Sequence, residues 1–507
     1  MKQAMKGLFS IALLISTAVQ ATNTVGRSFL LGGLGTPTSN GLIGHADRAN
    51  RFDAEGMPVV FTSQSQYGQT FKSDDIAKYL FFNGTSSMVV GPVAAVAAGT
   101  NAVGTVTNIH SINLLLGTLH ESTITAAPTV KTFSSNLNLY VGLNDLMDGL
   151  YADLSLPILR TKWDAGLTEV SKTASTAIAA DIITVGGGAI VAPYTTAIAA
   201  LKGDKTIGNV TSAMSYHKID GAQSRTKVGD AKAVLGYNFI NKENCHFGLG
   251  LLGVFNGNGA TKAEFAFEPN AGHLRHGIGG RVDGHVRLYE KDEHSVTAHI
   301  RADVFTTFKR TMRRTYDFTL NGVGSRYNLI KEFTAVPAYA GVLHRGVNLT
   351  SLEAKIAQDA VYNADFMLHY TNGNFVVDGG YSLNGHTKEE HKSWVGEIAG
   401  SKYGFFSTPN ADANDNSNAV DVLVNGFPAT AAAGFAAATA ITTAMLNKES
   451  GLAKAAMTHS VYGNLGYTWV DSEWTPMVAI GGGAQFSGSD NDALNAWNVH
   501  FTGGVSF

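Results

Sequence analysis

Long runs of strict two-residue alternation constrain this chain more than any other feature. The clearest case spans the turn "KDEH" at 291–294. Before it, Ile278, Val282, Val286 and Leu288 alternate with Arg281, Asp283, His285 and Arg287; after it, Val296, Ala298, Ile300, Ala302 and Val304 alternate with His299, Arg301 and Asp303. Upstream, Gly229, Ala231, Ala233, Leu235, Tyr237 and Phe239 share one parity while Asp230, Lys232 and Asn238 share the other. A segment with Phe247, Leu249, Leu251 and Phe255 follows. Only a β-strand sends successive side chains to opposite faces. These runs extend about 10 to 14 residues, the length a tilted strand needs to cross a bilayer, against about 5 or 6 in soluble sheets.

The apolar face is rich in Gly and Ala and ends at its turns in aromatics: Tyr237 with Phe239, Tyr467 with Trp469, and Tyr381. A soluble sandwich would set that face against a second sheet. In lipid, every backbone N–H and C=O must be paired within the protein, so a sheet can cross only as a closed barrel. Composition agrees, with 57 Gly, 11 Pro and only 15 % charged residues. Lys+Arg number 37 against 40 Asp+Glu, which is no footprint for nucleic acid. A single cysteine, Cys245, rules out an internal disulfide framework. Two Ala-, Gly- and Thr-rich stretches, 174–201 and 427–446, gain too little from hydrocarbon to span it and read as long loops with helical pieces.

Connections alternate in length. Short turns fall at 144–149, 241–244, 291–294, 372–374 and 471–473, and long stretches at 91–128, 164–224, 256–275, 309–359, 387–455 and 487–495. The strands this spacing predicts lie near 58–71, 80–91, 130–143, 150–163, 226–240, 245–256, 276–290, 295–308, 361–371, 375–386, 457–470, 474–486 and 496–507. Single-chain barrels have even strand numbers. The expectation is therefore about 14, within 12 to 16, with a further strand in 26–35 or an error in one of the first two. Residues 73–80, "SDDIAKYL", also read as an N-capped helix.

The ends carry a resemblance. Lys2 and Lys6 precede an apolar run from Gly7 to Val19 and small residues ending at Ala21, the pattern of a cleaved secretory signal peptide over 1–21. The chain closes on "AWNVHFTGGVSF", with Val499, Phe501, Val505 and the final Phe507 on one parity. In these features the chain resembles the outer-membrane β-barrel proteins of Gram-negative bacteria, porins among them. The resemblance implies residence in the outer membrane, contact with its lipid and lipopolysaccharide, and recognition of Phe507, Val505 and Phe501 by the barrel-assembly machinery. It also implies a homo-oligomer, often a trimer in major porins. The domain reading is signal peptide 1–21, an N-terminal segment 22–56 that supplies a plug or an extra strand, and a transmembrane barrel over 57–507.

With the apolar parity facing lipid, the other parity lines the interior: Asp230, Lys232, Arg281, Asp283, His285, Arg287, His299, Arg301, Asp303, Asp365 and Asp378, with Asp153 and His369 beside them. Such a lining needs water or ion pairs to solvate it. The leading expectation is a porin-like channel for passive diffusion of small hydrophilic solutes, of little charge selectivity. The alternatives are a plugged transporter for hydrophobic compounds and a non-conducting structural or adhesive barrel. Lys309, Arg310, Arg313 and Arg314 stand where a strand leaves the membrane, placed to meet lipopolysaccharide phosphates. His273 and His276 lack the carboxylate or thiol company of a metal site, so no metal or cofactor is expected. Gly-x-Ser-x-Gly, His-Glu-x-x-His and phosphate-loop motifs are all missing, and no enzyme is expected.

Overall fold

The computed structural model describes residues 42–46, 48–50, 57–81, 84–91, 107–178, 183, 188–270, 272–319, 324–335, 338–400, 402–405, 440–488 and 495–507. The signal peptide, the strand expected in 26–35 and residues 427–439 of the Ala-rich stretch 427–446 lie outside these residues. Twelve antiparallel strands close into a barrel. In chain order they are β1 (Val59–Thr70), β2 (Thr129–Gly142), β3 (Leu150–Asp164), β4 (Asp230–Lys242), β5 (Cys245–Asn256) and β6 (Gly277–Lys291). The second half comprises β7 (His294–Thr307), β8 (Val361–Asn372), β9 (Phe375–His386), β10 (Ala456–Thr468), β11 (Met477–Ser487) and β12 (Ala496–Ser506). Each strand pairs with its sequence neighbours, and β12 returns to β1 in the register Val60↔Ser506 to Thr70↔Ala496. Phe507 makes the last rung: its N–H donates to Val59 O at 3.0 Å and its carbonyl accepts from Val59 N at 2.8 Å.

The count is 12, not 14, and the reason is local. Residues 80–91 are not a barrel strand. Ser73–Leu80 is a helix (α1) with Asp74 and Asp75 in its first turn, Lys78 in its last and Ile76, Ala77 and Leu80 buried along one face. Opposite charges at the two ends favour a helix through its dipole. Ser87–Gly91 then pairs with Thr107–His110 and Glu121–Ala126 in a separate small sheet.

Burial alternates along the barrel. Phe61, Leu235, Leu251, Ile480, Val499 and Phe501 are exposed on the outside, while Thr62, Gln64, Asp153, Asp303, Asn464 and Thr502 are buried within. The exterior is thus an apolar belt and the interior a polar filling, the reverse of a soluble barrel.

Where they are described, the long connections leave from one end and fold together into a cap. The β2–β3 hairpin continues past the rim, where Glu121–Ala126 pairs with Leu167–Thr173. β7, β8 and β9 continue likewise as the sheet of Arg310–Thr315, Ser351–Gln358 and Glu389–Trp394. The two largest apolar clusters of the described residues lie mainly in the cap. One gathers Ile76, Leu116, Ile124, Ile178, Val210 and Leu329; the other gathers Met312, Tyr316, Phe318, Ile330 and Ile356. The Ala-rich stretch 174–201 contributes the short strands Ala177–Ile178 and Ile190–Val191 and a helical turn, Ala197–Ala200, to this cap. Among the described residues no helix is long and apolar enough to cross a membrane.

Candidate functional site: the barrel interior

The described residues of segment 42–50, namely 42–46 and 48–50, lie inside the barrel. Its backbone turns on itself, with Ala46 N–H donating to Leu42 O and Ala49 N–H to His45 O, both at 2.9 Å. Leu42, Ile43 and Ala46 pack on Met367 of β8 and Tyr462 of β10, and Ala49 packs in a cluster with Val60, Tyr140 and Tyr151. Gly44 has φ +67°, the left-handed backbone conformation that favours glycine, and packs against the flexible end of Met477. Three polar side chains tie the segment to the wall. Arg48 donates to Thr475 O at 2.6 Å and to Thr468 Oγ1 at 3.2 Å, both at the short-turn end. His45 lies 3.4 Å from Asp153. Asn50 accepts from Tyr140 OH (2.9 Å) and Asn238 Nδ2 (2.8 Å), and donates to Asp283 at 3.4 Å.

Next to this segment the wall's charges form a paired network. Arg281 on β6 donates from Nε to Asp303 Oδ1 (2.7 Å), from Nη2 to Asp303 Oδ2 (3.1 Å) and from Nη1 to Asp153 Oδ2 (2.8 Å). Lys232 reaches Asp303 at 2.8 Å, and Arg301 lies 3.5 Å from Asp153. Asp283 accepts from Tyr151 OH at 2.6 Å and meets His246 at 3.1 Å; Asp378 holds His369 at 2.6 Å and Asn464 at 3.0 Å. Asp230 is engaged by the backbone and ring nitrogens of His273 (2.8 and 2.7 Å) and by Asn256 (3.0 Å), and Asp365 by Ser382. Charges withdrawn from water are tolerated when paired and hydrogen-bonded in this way.

Each residue expected on the inner face can now be placed. Arg281, Asp283, His299, Asp303, Asp365 and Asp378 are buried in the interior, and Asp230, Lys232 and Arg301 are half-buried there. His285 faces His246 across the β5–β6 ladder, with rings 4.3 Å apart, and Arg287 pairs with Glu290 (2.6 Å) near the short turn. The basic cluster is a correction. Arg314 is buried in the cap against Glu389 and Thr261, and Arg310 spends its guanidinium on Asn256 Oδ1, Asn258 O and Leu274 O. Neither is placed to meet lipid phosphate. Arg313 donates to Ser351 O and Glu353, and Lys309 alone of the four is exposed. His273 holds Asp230, and His276 Nδ1 accepts from Asn256 N–H. Among the described residues no group of three His, Cys, Asp or Glu is arranged to hold a metal.

Above segment 42–50 a chamber remains, with about 1450 Å³ of empty space where it meets solvent included. Gln64, Asn138, Arg281, Phe305, Asn363 and Asn384 mark its circumference. Among the described residues its backbone ladder is interrupted at one place, where the side chains of Pro157 and Leu159 pack against Gly229. β3 pairs with β4 from Leu150↔Tyr237 to Ser155↔Lys232 and, further up, with the strand Gln223–Val228 from Ile158↔Val228 to Trp163↔Gln223. Between them sit Pro157, which has no N–H to give, and Gly229, joined only by Gly229 N–H to Pro157 O at 2.8 Å. Pro157, Leu159 and Gly229 line the chamber. On the outside, the same stretch carries an apolar hollow formed by Leu137, Leu154, Leu156, Ala231 and Phe255, and Asn138, Ser155 and Lys232 border both spaces. Sequence reasoning missed Asn50, Tyr140 and Tyr151. The two tyrosines were findable, because they share the parity of Asn138 and Asp153.

No family model and no curated protein sequence matches this chain. Solved structures do match, distantly. An outer membrane channel from Pseudomonas putida F1 is 9 % identical, with 89 % of this chain and 95 % of that one covered and a TM-score of 0.36. A Pseudomonas aeruginosa FadL homologue is 9 % identical over 96 % of this chain and 98 % of its own, with a TM-score of 0.28. The toluene transporter TodX of Pseudomonas putida is 9 % identical over 96 % and 99 %, with a TM-score of 0.29.

Proposed function

We propose that this chain is an outer-membrane channel of the plugged kind, serving small, largely apolar compounds. Such a compound enters the chamber between segment 42–50 and the cap, then leaves sideways where the ladder is interrupted at Pro157 and Gly229, once the side chains of Pro157 and Leu159 move aside. The observation that carries this reading is the lumen segment itself. It occupies the barrel with buried apolar contacts and is bonded both to the short-turn end through Arg48 and to the wall through Asn50. A porin for hydrophilic solutes needs a continuous water path, and the segment stands in that path. The interrupted ladder beside an external apolar hollow offers the alternative exit. Export by the signal peptide, insertion by the assembly machinery, outer-membrane lipid around the belt and assembly into homo-oligomers belong to the same proposal, and no catalytic step is part of it.

Planar-bilayer recording tests it. The intact barrel should show no lasting single-channel conductance, and removal of residues 42–50 should open one. Uptake of toluene into cells should fall when Pro157→Val gives β3 back the ladder N–H it lacks beside Gly229. Steady conductance by the intact protein would instead establish the open diffusion channel, and toluene uptake no faster than in cells lacking the protein would leave a non-conducting barrel.

A further inference from the structure

We infer that the chamber selects uncharged compounds bearing hydrogen-bonding groups on an apolar body, and rejects their anionic and cationic analogues. This deepens the plugged-channel reading and rests on it for the chamber's place on a route. The charged side chains around the chamber are already engaged by the protein. Asp153, Asp230, Asp303 and Asp365 stand against Lys232, Arg281 and Arg301, and each of these carboxylates has a partner at hydrogen-bonding or ion-pair distance. An entering ion would have to break such a pair or remain uncompensated in a narrow enclosure, and either costs more than a neutral group would.

Some of the amides are different, although Gln64, Asn136 and Asn138 are themselves hydrogen-bonded. Gln66 on β1 is only 5 % exposed and lines the chamber, yet its side chain makes no hydrogen bond with any described residue. Asn363 on β8 lines it as well, also without such a bond, and beside it across the β8–β9 ladder is Asn384, whose Nδ2 is buried without a partner. From β1 the route through β12, β11, β10 and β9 to β8 is nearly half the circle, so these amides stand on facing walls. An amide offers both donors and an acceptor and carries no charge. Between the two walls, Pro157, Leu159, Phe305 and Ala456 supply apolar surface. A site of this make-up fits a phenol, an aromatic amide or a ketone. Buried amides left unpaired also penalise a bare hydrocarbon relative to its hydroxylated or amidated counterpart.

Benzamide, benzoate and benzamidinium have nearly one shape and differ in charge, so their binding to the full chain in detergent micelles, measured by equilibrium dialysis, decides the matter. Benzamide should bind about tenfold or more tightly than either ion. Gln66→Leu and Asn384→Leu should each weaken benzamide by about fivefold, the size of one hydrogen bond, while toluene binding is retained. Gln66→Glu should shift the preference towards benzamidinium, a gain that misfolding cannot produce. Benzoate or benzamidinium binding as well as benzamide, or benzamide indifferent to all three substitutions, would overturn the inference. Toluene bound without any amide discrimination would sink this selectivity and leave the channel reading standing, whereas conductance by the intact barrel would sink the channel reading whatever binds.

Discussion

At the scale of single residues, Arg281 shows what a buried charge does here. It is 5 % exposed and bridges Asp303 and Asp153, whose sequence positions lie 22 and 128 residues away. Arg281→Ala would leave Asp153 and Asp303 short of their main cation, a loss of about 3–5 kcal/mol for a buried network. The temperature at which the folded gel band converts to the unfolded one should drop accordingly. Arg287→Ala is the contrast. Its partner Glu290 is exposed beside the short turn, so the same assay should shift by about 1 kcal/mol or less. The face on which Arg281, Asp283, His299 and Asp303 lie was legible from alternation, because a slip of one residue would turn all four towards the apolar belt. Which side chains meet was not legible. The Arg281–Asp153 contact reaches between strands that are not neighbours, and no local pattern encodes a contact across a lumen.

Among elements, the strands were legible and the pieces between them were not. Period-2 runs repeat a local rule, so eleven of the twelve barrel strands had their ends placed to within three residues, while the β4 segment expected at 226–240 divides at Gly229. Segment 42–50 has no period to announce it, since its place depends on Met367, Tyr140, Thr475 and Asp283 from far along the chain. The cap sheets were read as loops because their strands are short and their partners distant. The terminal strand allows a sharper test. Phe507 is 63 % exposed and touches Trp474 at a ring distance of 6.1 Å, so its ring adds little to the interior. Its backbone pair with Val59 survives any side chain. Phe507→Asp should therefore refold in detergent with nearly unchanged heat stability, yet reach the outer membrane of cells at a several-fold lower level. Equal levels in cells would show that the terminal ring is not what the assembly machinery reads.

The whole molecule joins two bodies stabilised in different ways. The barrel rests on a closed ladder of backbone hydrogen bonds with a polar interior, and the cap rests on apolar clusters that enclose ions. Acid should distinguish them. In the cap, burial works against the charge of Glu389, but Arg314 and Arg275 outweigh it together with the Ala453 N–H, holding the carboxyl at about 2. Its pKa is depressed on folding, so its contribution is complete above the unfolded value near 4.5 and is lost as pH falls towards 2. His217 acts in the same direction. Burial, and then the guanidinium of Arg326, keep it neutral well below 6.5, so below that pH the unfolded chain takes up a proton that the folded cap refuses. Lowering the pH from 7 should therefore loosen the cap in two stages, the first below about 6.5 and the second below about 4.5. A dye that binds exposed apolar surface would report the cap, and gel mobility without heating would report the barrel. Dye binding should rise while the compact gel band persists, because the barrel keeps its closed backbone ladder, which does not titrate, even as its interior carboxylates lose their pairs. Glu389→Gln should bind dye already at pH 7, with Arg275 and Arg314 left short of their carboxylate, and should lose the second stage. If the compact band disappears at the same pH at which dye binding rises, cap and barrel unfold as one unit and the division drawn here is wrong.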